Sequence, residues 1–159
     1  MRVSRRSLVA GGTLGAIGVL GFGAAAQSNA YALAVSRDAG CGCCLEWVAR
    51  MRSTGRFHVS VADEVGMAAL KRRLGVPVDL ASCHTGVVEG LVIEGHVPAE
   101  DVLRLLSECP RGVTGIAVPG MPIGSPGMEI AGRGRDAFTV FAFGPNGSRT
   151  VFANHAAGG

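Results

Sequence analysis

The chain has 159 residues, with 15 Lys and Arg against 12 Asp and Glu, which gives a formal net charge of +3. The whole surplus lies at Arg2, Arg5 and Arg6, so the remaining chain carries 12 basic and 12 acidic residues. A body without net charge argues against a nucleic-acid-binding protein. The many Leu, Ile, Val and Phe residues exclude wholesale disorder, and the length suits a single domain with a substantial core.

The first 26 residues have the pattern of an export signal. Arg5-Arg6 precedes an uncharged stretch from Leu8 to Ala26 that is rich in Gly and Ala. A positive start, an apolar middle and small residues at the end are typical of a signal peptide. The Ser-Arg-Arg-x-Leu run is typical of the twin-arginine type. We predict a cleaved signal over residues 1–26 and a periplasmic protein with no stable membrane association after cleavage; an uncleaved membrane anchor is the alternative.

Hydrophobic spacing predicts alternating strands and helices in the rest of the chain. Strands alternate apolar and polar residues, and helices repeat apolar residues every three or four positions. These rules predict strands at 31–35, 57–61, 87–93, 138–143 and 150–152. They predict helices from the cysteine-rich turn to Gly55, from Asp63 to Leu74, and from Pro98 to Cys109. The alternation indicates one α/β domain over residues 31–155, with a mixed sheet and flanking helices.

Three cysteines lie within four residues at the turn from the first strand to the first helix. Cys41 and Cys44 have C-x-x-C spacing, and Cys43 lies between them. A C-x-x-C pair at this point of an α/β unit is the thioredoxin-like placement. The free N–H groups of a helix N-terminus favour a thiolate, which can attack a disulfide or bind a soft metal. A simple Cys41–Cys44 disulfide is the alternative.

Cys83 and His84 are predicted to complete a metal site with these cysteines. They lie in a loop between the second helix and the third strand. Adjacent side chains of a regular strand point to opposite faces, so both residues can reach one metal only if the segment is irregular. Pro77 and Ser82 favour such irregularity. For His84, a hydrogen bond to the backbone is the alternative role.

Three further residues are weaker candidates for metal ligands. His96 precedes the last helix, where it could also hold the turn. Met121 and Met128 lie in a loop of Gly and Pro residues; a thioether sulfur is a soft Cu(I) ligand, but either residue could simply pack in the loop. We call residues 118–128 the proline loop and predict that it forms a stiff lid over the site. Cys109 falls on the apolar stripe of its helix and is predicted to be a buried free thiol.

The donor set restricts the metal. Thiolates with imidazole and thioether select Cu(I), zinc or an iron–sulfur cluster. Zinc requires four ligands, which Cys41, Cys44, Cys83 and His84 would supply. Copper would also use Cys43, because bridging thiolates can hold more than one Cu(I). Metal ions are therefore the predicted ligands, with copper first and zinc as the alternative.

Several motifs together resemble the CopG-like copper-resistance proteins, a family long described only as a domain of unknown function. The matching runs are Cys41-Gly42-Cys43-Cys44 with Trp47, Gly75-Val76-Pro77, Ser82-Cys83-His84-Thr85, Glu94-Gly95-His96-Val97-Pro98-Ala99 and much of residues 117–129. The resemblance spans residues 33–152. It implies a thioredoxin-like fold, a periplasmic location and a copper site held by Cys41, Cys43, Cys44 and Cys83, with His84 nearby. Many relatives have a histidine near the position of Arg50, and any ligand role of that histidine is lost here.

Three functions remain open on the sequence. The first is a periplasmic protein that holds Cu(I) in copper tolerance, as a thiolate-bridged cluster or with Cu(I)/Cu(II) cycling, and that works with other periplasmic copper-handling proteins. The second is a thiol–disulfide oxidoreductase that uses Cys41 and Cys44. The third is a structural Cys₃His zinc domain. No catalytic residue is predicted. A metal-binding protein is expected rather than an enzyme, with copper oxidoreductase activity left open.

Overall fold

The computed structural model describes residues 30–158, so the predicted signal over residues 1–26 lies outside the described part. The strands are β1 (Tyr31–Arg37), β2 (Phe57–Asp63), β3 (His84–Val88), β4 (Leu91–Glu94), β5 (Gly115–Ala117), β6 (Phe138–Phe143) and β7 (Arg149–His155). The helices are α1 (Gly42–Ser53), α2 (Met67–Arg73) and α3 (Ala99–Glu108). Between residues 30 and 158, no helix is both long and apolar enough to span a bilayer.

All seven strands form one mixed sheet in the order β2-β1-β3-β4-β5-β6-β7. The pairs β1–β2 and β4–β5 are parallel, and the other neighbouring pairs are antiparallel. Parallel neighbours need a crossover connection, which α1 and α3 provide. The predicted mixed α/β architecture with flanking helices is thus confirmed.

The core is centred on the apolar face of α1. Trp47, Val48 and Met51 lie on this face because residues three and four positions apart share one side of a helix, and all three are buried. The Trp47 indole N–H also donates a hydrogen bond of 2.8 Å to the carbonyl of Val97, which follows β4. This bond joins the start of α1 to the segment that leads into α3. Both parts of the chain contribute residues to the candidate site.

The strand predicted over 87–93 is wrong, since the chain forms two strands there. Glu89 and Gly90 have φ angles of 48° and 76°, and two consecutive residues in the left-handed region make the tight turn of a two-residue hairpin. Gly90 therefore reverses the chain between β3 and β4 rather than kinking one strand. The short strand β5 was not predicted either. The predicted hairpin of β6 and β7 is confirmed.

Two predictions about helix ends are also wrong. Asp63 does not cap α2; it is the last residue of β2 and forms an ion pair with Arg37 at 2.9 Å. Cys109 is not a buried member of the stripe on α3. It follows the last helical residue with a φ of 42° and is exposed, because the left-handed backbone turns it away from the helix face.

Candidate metal centre

The cysteine-rich turn is held by the backbone around it. Cys41 is extended and directly precedes α1, so the first helical turn carries Cys43 and Cys44. The Arg37 guanidinium donates hydrogen bonds to three carbonyls of the turn, including that of Cys41 at 3.0 Å. Cys41 and Cys44 form a disulfide with a Cα–Cα distance of 5.5 Å. The disulfide considered as an alternative is thus present, although it leaves Cys43 unexplained.

Four sulfur atoms converge at the N-terminus of α1. The Sγ atoms of Cys41 and Cys43 are 3.5 Å apart. The sulfurs of Cys41, Cys43, Cys44 and Cys83 all lie within 4.8 Å of one another. Cys83 comes from the segment before β3, so the fold brings together thiols from two distant parts of the chain. This is the spacing that one or more soft metal ions would require of thiolate ligands.

Two histidines join the same cluster through Cys83. The Cys83 sulfur lies 3.2 Å from Nδ1 of His84 and 3.1 Å from Nε2 of His96. Cys83 and His84 reach one point because Cys83 still belongs to the irregular segment, while His84 is the first residue of β3. His96 lies just beyond β4, the neighbour of β3. Cys83 is therefore shared by a four-sulfur group and a Cys-His-His group.

His96 bonds the proline loop rather than its own turn, and its ligand role stays a prediction. Its Nδ1 lies 2.8 Å from the carbonyl oxygen of Pro126 in the proline loop. A carbonyl only accepts hydrogen bonds, so Nδ1 carries the proton and Nε2 presents its lone pair toward Cys83. A hydrogen bond to one ring nitrogen that fixes the tautomer of the other is the usual arrangement of a metal-binding histidine.

Burial keeps the nitrogen donors neutral. Burial, with the nearby His96 and Lys71 as smaller causes, lowers the pKa of His84 to about 3. Burial also lowers the pKa of His96. The His84 Nε2 atom is buried without a hydrogen-bond partner among residues 30–158. A neutral imidazole offers one ring lone pair, which suits a metal ion.

The sulfur of Cys83 is protonated when no cation is near. Burial, together with the neighbouring Cys43, raises the pKa of the Cys83 thiol to about 11. A metal ligand must be the thiolate, so an incoming cation has to displace this proton. The donor set of thiols and neutral imidazoles fits a soft or borderline ion such as Cu(I) or zinc.

The proline loop lies against the cluster from two sides. On one side Pro126 accepts the His96 hydrogen bond, and Gly120 accepts one from the Ser82 hydroxyl. On the other side Gly127 packs on the start of α1, close to the backbone of Trp47. These contacts support the predicted lid. Met121 is 52% exposed and Met128 is partly buried in this loop, and their roles as ligands stay predictions.

Replacing Gly127 by alanine should lift the proline loop off α1. A Cβ atom at Gly127 would lie 2.6 Å from the Trp47 backbone nitrogen, which cannot move aside. Gly132 has a similar positive φ, but a Cβ there meets nothing within 4 Å. We expect Gly127→Ala to lower the free energy of unfolding by roughly 1–3 kcal/mol more than Gly132→Ala does. Denaturant unfolding checks this, and equal losses would show that the loop is not packed against the helix.

A buried polar network behind the cluster was not predicted. Glu94 is fully buried and contacts Lys71, Thr85 and Ser82. The sequence offers one signal for it. Glu94 is a charged residue at the end of the apolar run 91–93, at a position where strand alternation predicts a buried side chain. Glu94 and its partners are not metal ligands in this arrangement, but they adjoin Cys83 and His84 on both sides.

Comparison with known proteins agrees with this geometry. Residues 80–128, which contain Cys83, both histidines of the cluster and the proline loop, match the family model described as "Protein of unknown function, DUF411". No curated protein matches the chain. A solved structure titled "Copper resistance protein copG- Form 2" is 45% identical, with a TM-score of 0.74, over 79% of this chain and 98% of that one.

A second solved structure, "Copper resistance protein copG- Form 1", is 46% identical with a TM-score of 0.73. It covers 79% of this chain and 97% of the other. Identity at this level over nearly the full length of both solved chains goes well beyond a shared fold. The chain therefore belongs to the CopG family of copper-resistance proteins.

Proposed function

We propose that this protein binds Cu(I) in the periplasm and thereby contributes to copper tolerance. The observation that carries the proposal is the convergence of four cysteine sulfurs within 4.8 Å, with Cys83 shared by two neutral histidines. Thiolate ligands select soft ions such as Cu(I) over hard ones. The family name of the related solved structures supports copper as the ion. The proposed ligands are Cys41, Cys43, Cys44, Cys83 and His84, with His96 added on its geometry.

The number of donors favours more than one copper ion. A tetrahedral zinc site is complete with four ligands, whereas four cysteine sulfurs and two imidazoles lie together here, and reduction of the Cys41–Cys44 disulfide makes all four sulfurs available as thiols. Cys83 belongs to both groups, which is the position of a bridging thiolate. Several thiolates in one buried place repel one another, and multiple cations would neutralise them. We therefore propose a thiolate-bridged Cu(I) cluster, with Met121 and Met128 as weaker candidates for outer ligands.

We propose that the part of the fold that carries the site has a thioredoxin-like arrangement. The part from β1 to α3 has the order β-α-β-α-β-β-α, and β1 to β4 lie in the sheet order β2-β1-β3-β4. The C-x-x-C pair begins the first helix of this part. Strands β5 to β7 extend the sheet beyond it. This topology supports the proposal. It is also compatible with thiol–disulfide exchange, the second candidate function.

The Cys41–Cys44 disulfide is the observation that favours an oxidoreductase as the second candidate. A disulfide at a helix N-terminus is a good acceptor of electrons, because the helix end stabilises the released thiolate. Against this role, the Cys43 sulfur lies 3.5 Å from Cys41 and would compete for the disulfide. Partial exposure of Cys41 and Cys43 suits exchange of copper with other periplasmic proteins equally well.

Metal loading separates the candidates. Reduced, metal-free protein should take up more than one equivalent of Cu(I), because bridging thiolates hold several ions, and should take up zinc only weakly in competition. Elemental analysis after desalting measures both, and cell fractionation tests the location. One tight zinc and no copper would indicate a zinc domain. Neither metal, together with rapid reduction of insulin disulfides, would indicate an oxidoreductase.

A further inference from the structure

The network behind the cluster is a buried ion pair with two further polar partners. Glu94 is 0% exposed and Lys71 is 9% exposed. The Lys71 Nζ lies 2.5 Å from Glu94 Oε1 and donates a hydrogen bond of 2.9 Å to the Thr85 hydroxyl. Buried charges are costly unless they are paired and hydrogen-bonded. Each carboxylate oxygen of Glu94 is accordingly satisfied.

The Glu94 carboxylate holds both ends of the ligand segment. Its Oε1 accepts a 2.6 Å hydrogen bond from the backbone N–H of Ser82, and its Oε2 accepts a 2.7 Å bond from the Thr85 hydroxyl. Ser82 and Thr85 directly bracket Cys83 and His84. One side chain therefore fixes the start and the end of the two-residue segment that supplies a sulfur and a nitrogen to the cluster.

The position of Glu94 on β4 relates this segment to a third ligand. Glu94 is the last residue of β4 and pairs with Thr85 of β3. His96 follows two residues later and reaches the Cys83 sulfur from the other side. Strand β4, which leads to His96, thus also holds Cys83 and His84 through Glu94. The distances between the three donor atoms are therefore fixed.

The hydrogen bonds around Glu94 also link the ligand segment to the proline loop. The backbone of Ser82 is held by Glu94, while its hydroxyl donates to the carbonyl of Gly120. A displacement of Ser82 would move both the first residue before Cys83 and the loop that covers the cluster. An ion pair that served only the stability of the sheet would not need these bonds to a segment outside the strands.

We propose that Glu94, with Lys71 and Thr85, positions Cys83 and His84 for metal binding. These are positioning residues, since their side-chain hydrogen bonds join them to one another and to the backbone of Ser82, which precedes Cys83. The inference rests on the proposed copper function for its first readout. Outer partners that orient metal ligands typically contribute 10- to 100-fold to metal affinity.

The test uses Glu94→Gln and the pair Thr85→Val and Thr85→Ser. Glutamine retains the size of Glu94 but loses the charge and one acceptor. Valine removes the Thr85 hydroxyl, whereas serine retains it. Asp101→Asn is the matched control, because Asp101 is also a buried carboxylate, 5% exposed, but it pairs with His155 and Arg104. All variants are compared at a temperature at which circular dichroism shows them folded.

Three readouts follow the ligands themselves. In competition with a Cu(I) chelator, Glu94→Gln and Thr85→Val should bind copper about 10- to 100-fold more weakly, and Thr85→Ser should stay near the wild type. X-ray absorption should show fewer nitrogen neighbours of copper. In metal-free protein, iodoacetamide should alkylate Cys83 at least about tenfold faster relative to Cys109 in the same two variants, because the loosened segment opens more often.

Each outcome decides the proposal. Unchanged copper affinity and unchanged Cys83 alkylation in both Glu94→Gln and Thr85→Val, even with a lower melting temperature, would overturn it. Effects of equal size in Asp101→Asn would also overturn it. If Glu94→Gln does not fold, the two Thr85 variants give the answer. If the wild type takes up no copper, the proposed function fails, and the alkylation rates alone decide the positioning role.

Discussion

Replacing Cys83 by serine should remove most of the copper-binding capacity. Cys83 is the one sulfur that belongs both to the four-cysteine group and to the group with His84 and His96. A hydroxyl is a hard, weakly acidic ligand that Cu(I) does not favour. Losing a shared thiolate therefore removes a bond to more than one ion. We expect copper per protein to fall below about half of the wild-type value, since metal binding depends on the number of thiolate ligands.

Copper content after desalting measures this loss directly, and Trp47 offers a second probe. Trp47 is the only tryptophan, and its ring centroid lies 4.4 Å from that of His84. Copper bound at the cluster should quench its fluorescence in the wild type and quench it less in Cys83→Ser. Cys109→Ser is the control, because Cys109 is exposed outside the cluster. Equal copper content in the two serine variants would contradict the role of Cys83.

The part of this site that is local in sequence could be predicted. Cys41, Cys43 and Cys44 lie within one helical turn, so their proximity follows from spacing alone once a helix is predicted there. The strand before them and the glycine after the helix delimit that helix correctly, to Ser53. Local periodicity was sufficient because no distant contact is needed to bring these three sulfurs together.

The other half of the site depends on contacts that spacing does not encode. Whether Cys83 and His84 reach one point depends on where β3 begins. The residues on either side of the pair, Ser82 and Thr85, are hydrogen-bonded by Glu94 from another strand. The ambiguity over His96 had the same origin, since its hydrogen bond to Pro126 joins residues 30 positions apart. Tertiary hydrogen bonds thus bring these side chains together, and spacing along the sequence does not encode such bonds.

The errors in the predicted elements also have a local cause. Glu89 and Cys109 adopt positive φ angles although neither is glycine. Such residues are uncommon, so the pattern alone predicts a continued strand at one position and a continued helix at the other. At Cys109 this mattered chemically, because an exposed thiol at a helix end is open to oxidation, whereas a buried one is inert.

The Cys41–Cys44 disulfide should make the proposed copper binding dependent on redox state. In the oxidised protein these two sulfurs are joined to each other, and Cys43 and Cys83 are the free thiols of the cluster. Two electrons and two protons convert the disulfide into two thiols, which restores four sulfur donors. The predicted export would place the protein in an oxidising compartment, which favours the disulfide form with few thiolates. Only a thiol reductant or a reducing partner protein would convert it to the form with many.

We therefore expect reduced protein to bind copper far better than oxidised protein. Losing two of four thiolates should weaken Cu(I) binding by at least about tenfold and reduce the number of ions bound, because soft thiolates dominate the affinity. The experiment uses Cys109→Ser protein, which avoids intermolecular disulfides through the exposed thiol. One sample is reduced with dithiothreitol and desalted without oxygen, the other is left oxidised, and both are titrated with Cu(I) against a chelator.

A Cys41→Ser/Cys44→Ser variant separates loss of thiols from the constraint of the disulfide. If missing thiolates are the cause, this variant should bind as weakly as the oxidised sample whether or not it has been reduced. If it binds more tightly than the oxidised protein, the disulfide also holds the turn in a form unsuited to copper. Equal binding by oxidised and reduced protein would mean that Cys43, Cys83 and the two histidines suffice. The C-x-x-C pair would then serve thiol–disulfide exchange rather than copper.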